Sequence, residues 1–259
     1  MKTVMSRGMA LAALALALSC AGCNDDSTSD ASTSQASQLP QLSPATGLNL
    51  ATACESFAGK LGFANTSITA ISTVAAGTLS VGGNAVPEHC LVTGTMNTRV
   101  SPVDGKTYAI GFEMRLPKAW NGRFYYQANG GLDGSVATAL GALGGGPVSS
   151  ALGAGFAVIS SDAGHNGSQV PLFGRDPQAR LDYGYNAVAT LTPMAKSMIA
   201  QVYGKAPDRS YFGGCSNGGR HAMVAAARSA NAYDGIVAGD PGFHLPKAAI
   251  NEVYSAQQL

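Results

Sequence analysis

The sequence is short of charge, and neither sign dominates. Only 12% of its 259 residues are Asp, Glu, Lys or Arg, and 16 basic against 15 acidic side chains leave a net charge of +1. That balance removes the electrostatic case for binding nucleic acid or an anionic membrane surface. The apolar run at residues 9–18 falls well short of the roughly 20 residues a spanning helix needs. No internal repeat is present. The 33 glycines follow no three-residue period, which excludes a collagen-like chain and leaves tight turns as their use. An apolar fraction of 46% is ordinary for a globular protein, and the length allows one large domain or two small ones.

The N-terminus reads as a targeting segment over residues 1–23. Lys2 and Arg7 flank the start of the apolar run, which is followed by Ser19-Cys20-Ala21-Gly22-Cys23. Small residues before a cysteine are the mark of a bacterial lipoprotein signal, in which the cysteine carries the lipid. Cys23 fits best and Cys20 is the second candidate; a plain secretory signal is the alternative. Each reading exports the protein, to the periplasm, to the outer membrane or cell surface, or into the medium, with a lipid anchor as its only tie to a membrane. Residues 24–47 are rich in Ser, Thr, Gln and Asp without apolar periodicity, as expected of a flexible tether.

The remaining residues, 48–259, carry the folded domain. Residues 48–61 have apolar side chains at helical spacing and predict a short helix. Strands are expected at 77–81, 91–96, 107–116, 123–127, 155–160, 210–213 and 235–239. A long helix is expected over 182–203, kinked or split at Pro193, and another over 221–229. Strands alternating with helices in the second half argue for an α/β fold with a mostly parallel sheet flanked by helices.

The chain is organised around Gly214-Cys215-Ser216-Asn217-Gly218, a G-x-S-x-G motif between a predicted strand and an Ala-rich helix. That is the nucleophile elbow of α/β-hydrolases. Glycines permit a turn tight enough to hold Ser216 above the sheet, and the N–H groups that open the helix face an incoming oxyanion. Ligands of a parallel sheet bind at the C-terminal strand ends, where three more loops lie. The Gly-rich loop 129–134 offers the N–H of Gly131 as a second oxyanion donor beside that of Asn217. The loops 161–166 and 240–244 bring His165, Asp240 and His244 to the same edge as candidate pocket residues. A base for Ser216 is harder to find. There are only four histidines. His89 lies far upstream and His221 points down the elbow helix. His165 and His244 stand on the right edge, but neither follows the serine in the usual order of serine, acid, histidine.

With Cys20 and Cys23 in the leader, Cys54, Cys90 and Cys215 remain, an odd number for an exported protein. Cys54 and Cys90 could close a loop, which leaves Cys215 unpaired beside the nucleophile.

Residues 87–250 resemble the tannase and feruloyl esterase family. The resemblance rests on PEHC (87–90), WNGRF (120–124), the glycine loop 129–134, DPQARLDYGYN (176–186), GCSNGGR (214–220), YDGIVAGDPG (233–242) and LPKAAI (245–250). It implies an α/β-hydrolase core and hydrolysis of esters of aromatic carboxylic acids (galloyl, feruloyl or terephthaloyl) through a serine acyl-enzyme. It implies Ser216 as nucleophile and no cofactor in catalysis. It also implies a Cys54–Cys90 disulfide and a partner for Cys215 beside the catalytic histidine. In the family the acid and the histidine follow a large lid, which usually carries a structural calcium. The present sequence is expected to hold only the N-terminal part of the core, with no metal site of its own. A truncated lipoprotein that is inert or only binds its ligand is the alternative. Two departures are of interest. Asn217 stands where a member acting on a terephthalate ester has glutamate, a change expected to bear on substrate choice. Asp240 stands where alanine is frequent, as an extra acid or a turn-capping carboxylate.

Overall fold

The computed structural model of the protein describes residues 43–142 and 150–258. The expected leader, most of the tether, and both Cys20 and Cys23 lie outside these residues. The strands in chain order are β1 (Leu48–Asn49), β2 (Thr66–Val74), β3 (Ser80–Val81), β4 (Asn84–Ala85), β5 (His89–Val100), β6 (Thr107–Pro117), β7 (Ala119–Trp120), β8 (Arg123–Ala128), β9 (Ala157–Ser161), β10 (Arg209–Cys215) and β11 (Gly235–Gly239). The helices are α1 (Pro177–Leu181), α2 (Ala187–Tyr203), α3 (Asn217–Arg228) and α4 (Leu245–Gln257).

Seven strands form one sheet in the order β11-β10-β8-β9-β6-β5-β2. The second half of the chain supplies the parallel part, β8 with β9 and β10, and β10 with β11. The first half is antiparallel, so the sheet is mixed. Its cause is the short connection between β5 and β6, closed by Ser101 N–H on the Lys106 carbonyl at 2.8 Å with Gly105 at φ +69°. So short a link can join only antiparallel neighbours. β9 lies on one side of β8 and β10 on the other, so the chain reverses its direction of travel across the sheet at β8. Such a reversal opens a crevice at the carboxyl ends of the strands.

One face of the sheet is covered by α2 and α3. In α2 the residues Val188, Leu191, Met194, Ala195, Met198 and Ile199 are buried, at the spacing of one helical face. They pack with Phe124, Tyr126, Ile159 and Phe212 of the sheet in one core cluster. Along β8, Phe124 and Tyr126 serve this core while Tyr125 joins a smaller cluster with Val158 and Leu152, the period of two that a strand imposes. α2 ends at Gly204, whose φ of 77° supplies the left-handed C-terminal residue.

Several local expectations are corrected. Residues 48–61 form β1 and one 3-10 turn, Cys54–Phe57, in place of a helix. The segment is pinned sideways: Cys54 is joined to Cys90 of β5, and the Glu55 carboxylate accepts from Thr73 N–H and Oγ1 at 2.8 and 3.1 Å. The strand expected at 77–81 shrinks to Ser80–Val81 in a small hairpin with β4. α2 runs through Pro193, and the break in the long helix falls earlier, in a π-helical turn at Asp182–Asn186. β2 carries no apolar run that would announce it; it is an outer strand with no fully buried residue.

The described chain enters the body at the base of the sheet. Thr46 N–H donates to Asp208 Oδ2 at 2.7 Å, and a Cβ on Gly122 would stand 2.7 Å from the Thr46 carbonyl oxygen. The last residues of the expected tether, 43–47, are therefore seated against the starts of β8 and β10.

Candidate active site

β10 ends at Cys215 and α3 begins at Asn217, so Ser216 is the one residue between strand and helix. It is exposed, with φ 58° and ψ −118°. A side chain at positive φ costs on the order of 1–3 kcal/mol and persists only where its surroundings enforce it. Here they do. A Cβ on Gly214 would stand 2.6 Å from the Gly218 carbonyl carbon, and one on Gly218 would stand 2.5 Å from the Ala128 oxygen. One on Gly219 would run into the Gly239 carbonyl. Ser216 N–H donates to Gly239 O at 3.0 Å, and its own carbonyl accepts from Gly242 N–H at 3.1 Å. The elbow is thus gripped from the β8 side and from the 239–242 loop.

Gly214 and Ala128 are register partners, so the loop after β8 emerges beside the elbow. A Cβ on Gly130 would reach within 4.0 Å of the Cys215 carbonyl oxygen. The loop is shaped by left-handed residues, Gly131 at φ 64°, Asp133 at 55° and Gly134 at 84°. Asn129 Nδ2 fastens its start to Ser160 Oγ and the Ser161 carbonyl at 2.9 and 2.8 Å. Among the described residues no acceptor takes the N–H of Gly131 or of Asn217. Both donors are therefore unspent, that of Asn217 on the residue after Ser216 and that of Gly131 in the loop that emerges beside the elbow.

The four histidines are placed differently. His89 is buried in β5, donating from Nδ1 to the Pro87 carbonyl at 2.7 Å and accepting from Arg115 Nη1 at 2.7 Å. His165 is buried behind the glycine loop, where its Nε2–H donates to Leu132 O at 2.9 Å and its ring stacks on Phe173 at 3.7 Å. Burial lowers the His165 pKa, which keeps the ring neutral. His221 is buried within α3. His244 is exposed as the N-cap of α4, at φ 50° with its ring against Phe243. Asp240 is exposed at φ 42° in the loop beside the serine. No hydrogen bond engages the Ser216 hydroxyl, the Asp240 carboxylate or the His244 ring among the described residues.

Behind the elbow lies a polar network that sequence reasoning missed. The Asn217 side chain turns inward. Its Nδ2 donates to Asp133 Oδ2 at 2.7 Å, and its Oδ1 accepts from Tyr183 OH and Arg220 Nε at 2.9 and 2.7 Å. Asn217 is buried, with both ends of its amide committed within the protein. Asp133 Oδ2 also accepts from His221 Nε2 at 2.9 Å, with both side chains nearly fully buried. The Arg220 guanidinium lies over the Tyr183 ring at 4.4 Å. The five residues of this network, Asp133, Tyr183, Asn217, Arg220 and His221, come from the glycine loop, the 176–186 motif and the elbow. Those motifs were legible one by one, but nothing in them says that they meet.

Asp162, in the loop after β9, is a further carboxylate, half-buried. Its Oδ1 accepts from Gly111 and Gly164 N–H at 2.9 and 2.8 Å. Burial nevertheless pushes its pKa up to about 7, with the Asp133 charge adding to the rise. Cys54 and Cys90 form a disulfide, and Cys215 is the free cysteine of the described residues, half-buried. Among those residues no group of three or more His, Cys, Asp or Glu is placed to hold a metal ion.

Residues 90–258 match the family model described as tannase and feruloyl esterase. The chain is 45% identical over 183 residues to a mono(2-hydroxyethyl) terephthalate hydrolase of Piscinibacter sakaiensis, covering 68% of this chain and 30% of that relative. It is 30% identical over 197 residues to a probable feruloyl esterase B-2 of Neosartorya fischeri, covering 74% and 36%. Among solved structures it is similar to feruloyl esterase B of Aspergillus oryzae, with a TM-score of 0.61 at 30% identity, covering 73% of this chain and 37% of that one. The chain thus spans about a third of the length of the relatives it matches.

Proposed function

Because the chain belongs to the tannase and feruloyl esterase family, we propose that it hydrolyses esters of aromatic carboxylic acids through an acyl-enzyme on Ser216. The observation that carries the reading is the exposed serine at φ 58° in the turn from β10 to α3, with the N–H of Asn217 unspent on the next residue and that of Gly131 unspent in the adjoining glycine loop. Ser216 Oγ attacks the ester carbonyl while a general base takes its proton, and the carbonyl oxygen becomes an oxyanion held by the two N–H groups. Collapse expels the alcohol and leaves the acyl group on Ser216. Water then releases the acid by the same steps in reverse roles. No cofactor enters this chemistry.

His89, His165 and His221 are committed to buried partners, so none of the three is assigned as the base. That no histidine engages the Ser216 hydroxyl among the described residues favours a second reading, in which these 259 residues bind an aromatic ester without turning it over. The Cys54–Cys90 disulfide supports export to an oxidising compartment. We assign residues 1–23 as the signal, with Cys23 or Cys20 as the lipid-bearing residue, and residues 48–259 as the catalytic domain.

The test is hydrolysis of a p-nitrophenyl aromatic ester by the chain and by Ser216→Ala. Turnover by the parent and none by the variant is expected. Equal rates remove Ser216 from the mechanism. Ester binding by both proteins without turnover establishes the second reading.

A further inference from the structure

We propose that Asp133 is a positioning residue of the oxyanion site, clamping the glycine loop to the elbow helix through Asn217 and His221. The proposal rests on the serine-esterase reading above. The two N–H donors belong to different loops, one after β8 and one after β10, and an oxyanion is held only if both point at the same place. Backbone pairing brings the loops side by side but ends at Gly214 and Ala128, before either donor. Beyond that point the backbone of Gly218 packs on Ala128 and Asn129, and the hydrogen bonds that tie Asp133 of the loop to the elbow helix are made by side chains.

Asp133 lies two residues past Gly131 and is itself held at φ 55°. Its Oδ2 receives Asn217 Nδ2 at 2.7 Å and His221 Nε2 at 2.9 Å. Both partners sit on the first turns of α3, one on the residue that carries the second donor and the other four residues along. The bridge therefore fixes the loop in two directions against the helix. Asn217 presents an amide whose two ends are both used, N–H toward Asp133 and oxygen toward Tyr183 and Arg220, so its own orientation is locked. The clamp is dry: the Asp133 and His221 side chains are 2% and 4% exposed, and burial of this depth strengthens each bond while penalising any that is left unmade. A surface aspartate that merely capped the loop would need neither partner.

The experiment is phosphonylation of Ser216 by a fluorophosphonate carrying an aromatic group, with the rate resolved into an affinity and a maximal rate. The phosphoryl oxygen of the probe enters the same two-donor site, so the maximal rate reports the site's geometry. The parent chain, Ser216→Ala, Asp133→Asn and Asn217→Ala are compared well below their melting temperatures. Asn217→Ala keeps the backbone donor and removes the amide that joins Asp133 to Tyr183 and Arg220, whereas Asp133→Asn leaves the Tyr183 and Arg220 contacts in place. A displacement of the order of an ångström at a reacting centre costs about 100-fold. Both clamp variants are therefore expected to lose about 10- to 100-fold in maximal rate, with probe affinity within about twofold of the parent. Clamp variants that melt lower but label at the parent maximal rate reduce Asp133 to a structural residue and overturn the inference. Labelling of Ser216→Ala at the parent rate, or no labelling of the parent, overturns instead the serine reading on which the clamp depends.

Discussion

Gly218 is seated against Ala128 so closely that a Cβ placed on it would stand 2.5 Å from the Ala128 carbonyl oxygen and 3.1 Å from that of Asn129. Both oxygens belong to backbone, which does not yield as a flexible side chain would. The first turn of the elbow helix is therefore in direct contact with the end of β8, and the spacing between serine and glycine loop depends on the missing side chain.

Gly218→Ala is expected to displace α3 or the loop, lowering the melting temperature by several degrees and ester hydrolysis by 100-fold or more, as misplacement of a reacting group does. Gly131→Ala is the contrasting variant. Nothing lies within 4 Å of its added methyl, but its φ of 64° strains an alanine by about 1–2 kcal/mol. Thermal unfolding and p-nitrophenyl ester assays of the two variants check the contrast. Parent-like melting and turnover in Gly218→Ala would refute the close-packing argument.

Asp176 sets an acid limit on stability. Arg99 reaches its two carboxylate oxygens at 3.0 and 2.5 Å, and the carboxylate also caps α1 through Ala179 N–H at 2.7 Å. The Arg99 guanidinium beside it holds its pKa well below the usual carboxylate range. A carboxylate whose folded pKa is depressed contributes stability that is present above its unfolded pKa, about 4, and lost as the pH falls below it. Asp176→Asn should be less stable than the parent at pH 7 and should converge on it toward pH 2. Denaturant midpoints across that range supply the measurement, and a constant gap between the two proteins would contradict it.

Asp162 acts with the opposite sign. Its folded pKa is raised to about 7 by burial, so the folded state holds a proton that the unfolded chain gives up near pH 4. Stability from this group therefore falls as the pH rises from about 4 to 7 and is flat above. Asp162→Asn keeps the oxygen that accepts from Gly111 and Gly164 and cannot ionise. The same midpoint series should show a shallower decline between pH 4 and 7 for this variant, and an unaltered slope would remove Asp162 as its source.

The elbow was readable because its constraint is local. Strand, glycines, serine and helix fall within a few residues, and each has a steric reason to be where it is. The parallel strands β8 to β11 were readable as short segments of apolar and aromatic residues bounded by turns, β9 from a continuous apolar run. The clamp was not, because Asp133 lies 84 positions from Asn217 and 88 from His221, and a single buried aspartate in a glycine loop carries no periodic signal. β2 (TSITAISTV) escaped because Ile68, Ile71 and Val74 are spaced three apart among Thr, Ser and Ala, which breaks the alternation of two that a strand would show. His165 was placed on the correct edge of the sheet, but sequence position does not tell that its ring turns under the loop and stacks on Phe173. The helical pattern of residues 48–61 was real and was overruled by the Cys54–Cys90 disulfide and the Glu55 contacts to β2.

Ser43–Gly47 meets the body at Asp208 and Gly122, at the opening of β10, and Ser216 follows the last residue of the same strand. At roughly 3.3 Å per residue the eight steps from Asp208 to Ser216 hold these two points about 25 Å apart, at opposite ends of the sheet. Whatever load is coupled upstream of Ser43, a resin, a bead or an acyl group, pulls on the pole remote from the nucleophile. Immobilisation through that end leaves the mouth of the site turned toward the medium, whereas attachment near α4 would bring the support to the serine's own pole.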